Sequence, residues 1–209
     1  MKTKSLSIFC ILICVIIFSS ISCKGRKIST PKFTIMSLPS EIGKTVFSEG
    51  LASVKSDGKW GFIDREGKVV IPYQFDDASF FSEGLAPVKS GGKWGFIDRE
   101  GKVIISYQFT LVFNFKEGLA LAANGDKIGY IDREGKVVIP YQFGLASFFS
   151  EGLAPVKSAG KWGFIDKEGK VVIPYQFDEA FNFSEGLAPV KSDGKWGFID
   201  REGKVVIPY

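Results

Sequence analysis

One feature constrains this chain more than any other. Trp60, Trp94, Trp162 and Trp196 fall in register on a period of 34 residues, and Ile128 fills the one remaining slot. Each tryptophan sits in Lys-Trp-Gly-Phe, with Lys127-Ile128-Gly129-Tyr130 as the variant copy. Around every slot runs a longer unit: Phe-Ser-Glu-Gly-Leu-Ala-Pro-Val-Lys before it, Ile-Asp-Arg-Glu-Gly-Lys-Val-Val-Ile-Pro-Tyr-Gln-Phe after it. Near-copies of one unit make a repeat array, in which each unit buries its apolar face against its neighbours. Five units start at Phe47, Phe81, Phe115, Phe149 and Phe183, and the fifth stops at Tyr209 before its Gln-Phe-Asp segment.

A period of this length also suits paired helices, so the local pattern has to decide. Each unit carries several glycines, and β-branched runs such as Val69-Val70-Ile71 end in Pro72. No stretch sustains a 3.6-residue apolar period long enough for two helices. Three strands per unit are expected: Gly50–Lys55, Lys59–Asp64 and Lys68–Tyr73. Asp57-Gly58 closes the first hairpin, because glycine accepts the positive φ of a tight turn. Arg65-Glu66-Gly67 closes the second. Gln74–Phe80 then forms either a short fourth strand or a turn of helix. Alternation puts Trp60, Phe62 and Asp64 on one face, Gly61 and Ile63 on the other. A glycine follows the tryptophan slot in all five copies: Gly61, Gly95, Gly129, Gly163 and Gly197. Glycine weakens a strand, so its recurrence points to close approach of a ring or of neighbouring backbone.

On these residues the chain resembles the bacterial WG (KWG) repeat family over residues 47–209. The resemblance implies an all-β array of tandem antiparallel repeats in exported or multi-repeat bacterial proteins. It implies no particular chemistry. Two arrangements stay open, a propeller-like or toroidal one and an open solenoid. The third copy departs most: besides Ile128, Leu121-Ala122-Ala123 replaces Pro-Val-Lys. An interruption of any special face falls there.

The N-terminus reads as a targeting segment. Met1-Lys2-Thr3-Lys4 is a short positive region, and Leu6 to Ile21 is apolar apart from serines. The run is short for a span of about 20 residues, and Ser19-Ser20-Ile21-Ser22 supplies a small-residue end suited to cleavage. Cys23 directly after it resembles a lipoprotein signal, although Ser20 stands where that pattern wants a Leu-like residue. The resemblance implies cleavage before Cys23 and a lipid on its sulfur. The expected organisation is therefore a signal peptide at 1–22, a lipidated N-terminus and tether at 23–46, and the array at 47–209. An uncleaved anchor and an ordinary secretory signal are the alternatives. Cys10 and Cys14 would leave with the leader, so Cys23 would be the one mature cysteine, with no partner for an internal disulfide.

Composition limits the chemistry. There is no histidine, which removes imidazole bases, triads and ligands. One mature cysteine excludes cysteine-rich zinc sites. Net charge is +4 and signs alternate along each unit, so no basic block tracks a nucleic acid. Carboxylates recur five times over: Glu49, Glu83, Glu117, Glu151 and Glu185, and Asp64, Asp98, Asp132, Asp166 and Asp200. An Asp before a turn bonds backbone N–H groups, and a catalytic site is normally unique, so no enzyme activity and no cofactor are expected. Trp60, Trp94, Trp162 and Trp196 are either core aromatics or ligand-facing rings. The lysines preceding the slots, Lys59, Lys93, Lys127, Lys161 and Lys195, should form a solvated stripe with the acids. The expectation is a lipid-anchored, non-enzymatic interaction module at the cell envelope, with an unknown protein partner. The alternatives are a glycan- or peptidoglycan-binding module using the aromatic slots and, more remotely, a carboxylate hydrolase.

Overall fold

The structure is a computed structural model that describes residues 47–209. The expected leader at 1–22, Cys23 and the tether up to residue 46 lie outside the described residues. The array is all-β, in five antiparallel sheets. Sheet 1 has three strands, β1 (Ala52–Ser56), β2 (Lys59–Ile63) and β3 (Val69–Phe75), in that spatial order. Sheet 2 has four: β4 (Asp77–Ala78), β5 (Ala86–Ser90), β6 (Lys93–Ile97) and β7 (Val103–Phe109). The same order recurs in sheet 3, with β8 (Leu111–Val112), β9 (Ala120–Asn124), β10 (Lys127–Ile131) and β11 (Val137–Phe143). Sheet 4 follows with β12 (Leu145–Ala146), β13 (Ala154–Ser158), β14 (Lys161–Ile165) and β15 (Val171–Phe177). Sheet 5 comprises β16 (Glu179–Ala180), β17 (Ala188–Ser192), β18 (Lys195–Ile199) and β19 (Val205–Ile207).

The three expected strands are present in every unit, and the undecided segment after the third is a two-residue strand. That short strand does not pair with its own unit. β4 pairs with β5, Asp77 opposite Lys89 and Ala78 opposite Val88. Each sheet from the second onward is therefore built from the tail of one sequence unit and three strands of the next. The sheets stay separate and do not close into one hydrogen-bonded barrel.

The hairpins form as their turn residues dictate. Asp57 and Gly58 have φ values of 50° and 82°, the two positive values a type I′ turn demands. In the second turn Asp64 Oδ1 accepts from the N–H of Glu66 at 3.1 Å and of Lys68 at 2.8 Å. Asp98 and Asp132 repeat the arrangement in full, and Asp166 and Asp200 keep the 2.8 Å bond, from Lys170 and Lys204.

Both faces of each inner sheet are buried, and alternation sorts side chains between neighbours. Phe96 packs toward sheet 3 while Ile97 packs toward sheet 1, both with no exposure. At each joint the aromatic after the tryptophan slot meets the first Phe of the next unit. Phe62–Phe81, Phe96–Phe115 and Tyr130–Phe149 ring centroids lie 4.9 Å apart, and Phe164–Phe183 lie 5.0 Å apart. The pairs are tilted or edge-on, the arrangement the ring quadrupoles favour. Sheet 5 has no following sheet among the described residues, and its far face is open: Ile207 is 49% exposed, where its equivalents Ile71, Ile105, Ile139 and Ile173 are buried.

The recurrent glycine is explained by a bulge. Trp60 opposes Phe75 but Phe62 opposes Ile71, so β3 carries extra residues that arch over Gly61. A Cβ on Gly61 would lie 2.6 Å from the Ile71 carbonyl oxygen and 2.9 Å from the Tyr73 ring. Both expected causes, ring and backbone, therefore act together. At Gly129 the nearest atom is the Ile139 carbonyl oxygen at 2.5 Å, followed by Pro140 backbone at 2.9 Å. Backbone cannot swing aside as a side chain can, so Gly129→Val should lower the unfolding free energy by about 2–4 kcal/mol. Urea denaturation checks this, and an unchanged midpoint would contradict it.

Candidate functional site

Three sets of polar groups line the joints. The first is a clasp. Glu49, Glu83, Glu117, Glu151 and Glu185 all adopt φ between 51° and 54°, a left-handed conformation that a glutamate adopts only against a cost. Four of these carboxylates reach into the next unit. Gly84, Gly118, Gly152 and Gly186 donate their N–H groups to them at 2.9–3.0 Å. Beside the clasp, Ser48, Ser82 and Ser150 hydroxyls donate to the carbonyls of Phe81, Phe115 and Phe183 at 2.6–2.8 Å. Lys116 occupies the serine position in the third unit.

At that same joint Glu117 takes on more partners. It also accepts from Glu151 N–H at 2.7 Å, and the Lys167 ammonium lies 3.2 Å from its Oε2. Desolvation opposes its ionisation, but the hydrogen bonds from Gly152, Lys167 and Glu151 outweigh it and hold the carboxyl below its ordinary value.

The second set pairs a lysine with a tryptophan across the first hairpin. Lys55 opposes Trp60, Lys89 opposes Trp94, Lys157 opposes Trp162 and Lys191 opposes Trp196. Each ammonium lies 5.7–5.9 Å from the ring centroid, within cation–π range. The tryptophans are graded in burial: Trp60 is 7% exposed, Trp94 and Trp162 are half-buried against the joint cores, and Trp196 is 44% exposed. Trp196 also stacks on Phe181 at 5.4 Å. The third copy loses both partners at once, since Ala123 opposes Ile128. The missing tryptophan is thus half of a paired replacement, an apolar pair for a cation–π pair.

The third set is the lysine preceding each slot, expected to form a stripe with acids; among the described residues two of the five pair with one. Lys59 Nζ lies 2.6 Å from Asp76 Oδ1, and Lys161 Nζ lies 2.5 Å from Asp178 Oδ1. The Lys59 hydrogen bond pulls the Asp76 carboxyl below its usual range, helped by the N–H groups of Gly91 and Gly92. Asp178 is held down in the same way by Lys161, with Gly194 and Asp193 N–H groups assisting. Exposed pairs of this kind contribute little to stability. Their effect is to fix where charge sits on the surface.

Chemically, this is a set of fastened ionisable groups. The turn aspartates bond their own hairpins and four glutamates bond the next unit, so these carboxylates carry structural hydrogen bonds. Among the described residues no group of three or more His, Cys, Asp or Glu side chains gathers as metal ligands. Cys23 lies outside the described residues, so the geometry here concerns the four tryptophans and their neighbours. Glu117 supplies a pH test. Because its folded value is lowered, its contribution is full above the ordinary 4.5 and is lost as pH falls through the folded value. Glu117→Gln should cost about 0.5–1 kcal/mol at neutral pH. Its urea midpoint should converge with wild type in acid, and a gap independent of pH would contradict the clasp.

Comparison with known proteins places the fold. Among curated proteins none matches the chain. Of solved structures, Hsv2 of Kluyveromyces lactis with its complete loop 6CD is 12% identical, with 75% of this chain and 58% of that chain covered and a TM-score of 0.50. A eukaryotic initiation factor is 13% identical, with 84% and 56% covered and a TM-score of 0.50. BamB from Moraxella catarrhalis is 14% identical, with 75% and 57% covered and a TM-score of 0.48. The chain spans less than two thirds of each of these chains, and identities this low speak to the fold alone; the two matches at 0.50 agree with a propeller-like array of sheets. The model of the WG containing repeat matches residues 45–60, 60–94, 94–127, 128–162, 162–196 and 196–209 end to end. That continuous match, on the tryptophan–glycine hairpin and bulge described above, makes the chain a member of the WG-repeat family.

Proposed function

We propose that the array is a non-enzymatic binding module, exported and held at the cell envelope by a lipid on Cys23. The observation that carries the binding reading is the recurrence of one element, the lysine-over-tryptophan hairpin, in four of five units, with Trp196 the most exposed of its rings. Equivalent weak contacts on linked units add through effective concentration. A catalytic site needs a unique constellation with a poised acid or base. Here the repeated carboxylates are tied to turns and clasps, which argues against the hydrolase reading. The anchor rests on the targeting pattern of residues 1–23, and an envelope protein partner follows from it.

A glycan partner is the second reading, and the half-exposed Trp196 stacked with Phe181 is the observation in its favour. Sugar stacking needs a free ring face, whereas a lysine lies over each tryptophan. Soluble peptidoglycan fragments should therefore leave tryptophan fluorescence unchanged, and saturable quenching would move the assignment to glycans. For the anchor, metabolic palmitate labelling should mark wild type and fail on Cys23→Ala. Label in neither protein would overturn the lipid anchor.

A further inference from the structure

The lysine stripe lacks its acid at two joints, and at one of them the gap leaves a formed site. Between sheets 2 and 3 the residue 17 after Lys93 is Thr110, whose hydroxyl donates to the Ala123 carbonyl at 3.1 Å and lies 3.5 Å from the Gly125 carbonyl. At the joints between sheets 1 and 2 and between sheets 4 and 5, an internal carboxylate fills the same cradle. Asp76 sits between Lys59 and the N–H groups of Gly91 and Gly92. Asp178 sits between Lys161 and the N–H groups of Asp193 and Gly194. The acid lies 17 residues after its lysine in both cases. At the joint between sheets 3 and 4 the lysine is Lys127, and the residue in the acid's place is Gly144.

The rest of the cradle is intact there. Ala159 and Gly160 form the turn, with φ of 47° and 83°, against 57° and 79° for Gly91 and Gly92 and 49° and 78° for Asp193 and Gly194. Equal turn conformations aim the backbone N–H groups the same way. A second acid is also missing. Within sheet 5, Glu179 pairs with Lys191 at 2.8 Å, while within sheet 4 the equivalent partner of Lys157 across the strand pair is Leu145. Among the described residues neither Lys127 nor Lys157 lies within ion-pair distance of a carboxylate. The result is a cleft of about 360 Å³ lined by Lys127, Gln142, Gly144, Leu145, Lys157 and the 158–160 turn. A Cβ at Gly144 would meet nothing within 4 Å, so the space is open where the internal carboxylate would start.

We propose that this cleft binds a carboxylate supplied from outside the chain, in the cradle that Asp76 and Asp178 fill internally. Two ammonium groups beside the two N–H groups of the turn form a cationic donor set that favours an anion. The internal precedent is an aspartate side chain, and Leu145, 51% exposed, offers apolar contact to the carbon skeleton that bears the acid. The inference goes beyond the binding-module reading and does not depend on the anchor; Lys157 also lies over the Trp162 ring.

The test uses the full chain, 15N-labelled, in detergent micelles at fixed ionic strength. N-acetyl-aspartate N-methylamide is titrated while the amides of Ala159 and Gly160 are followed. The proposal expects saturable shifts there, with a dissociation constant on the order of millimolar for a single exposed site, and none with the neutral asparagine analogue. Acetate distinguishes the source: equal affinity identifies a small organic acid, and tighter binding of the aspartate mimic identifies an acidic side chain. Gly144→Asp should fill the cradle from within and weaken binding by about tenfold or more. Lys127→Met should do the same if that variant folds poorly. Shifts equal for the aspartate and asparagine probes, or unchanged affinity in a folded Gly144→Asp or Lys127→Met protein, would overturn the proposal.

Discussion

The array depends on one contact made four times: an aromatic from the tryptophan strand of one sheet against the leading phenylalanine of the next. Every ring in these pairs is at most 1% exposed. Neither sheet could bury its own ring, because a single sheet of short strands has no interior. The joint cores show the consequence. One half of each comes from one sheet and the other half from its neighbour, as with Phe62, Ile71 and Phe75 against Phe81, Ala86 and Val88. Hydrophobic burial here is a property of joints, and a sheet is stable through what stacks on it. The glutamate clasps act at the same joints. Their left-handed backbone is a local cost offset by the bond each carboxylate makes to the next unit.

Much of this was legible in the residues themselves. Asp57-Gly58 specified the first hairpin, the alternation around Trp60 specified the faces, and the glycine after it signalled close approach. Three things were not legible. The bulge opposite Gly61 depends on how three residues arch over one, which no periodicity encodes. The two-residue strands such as Asp77–Ala78 are too short for an alternation signal, and their partner lies in the next unit. The cradle at Gly144 had a signal, an acid missing 17 residues after Lys127, but the meaning of that column appears only once Asp76 is seen between Lys59 and a turn.

The third unit gains a physical account as well. Its changes cluster at the joint with the fourth. Ile128 and Ala123 change together because they face each other, and Tyr130 adds a buried hydroxyl that donates to the Ser147 carbonyl at 2.7 Å. Glu117 and Lys167 knit the same joint where Lys116 has displaced a serine. The flanking joints carry a polar contact, Ser79 to Asn114 at 2.8 Å and Ser147 to Asn182 at 2.7 Å, where this one carries Phe113 against Phe148 at 5.7 Å. The joint between sheets 3 and 4 thus departs most from the others, and the open cradle lies in it. Distinctness of this kind lets a repetitive surface hold a single site.

The central claim is that stability resides in the joints. Hydrogen–deuterium exchange on Phe149→Ala tests it most directly, because Phe149 precedes sheet 4 but fills the core against Tyr130 of sheet 3. The account predicts faster exchange on both sides of the joint, in Lys127–Ile131 and Val137–Phe143 as well as in Ala154–Ser158 and Lys161–Ile165. Faster exchange confined to sheet 4, with sheet 3 as protected as in the wild type, would contradict it.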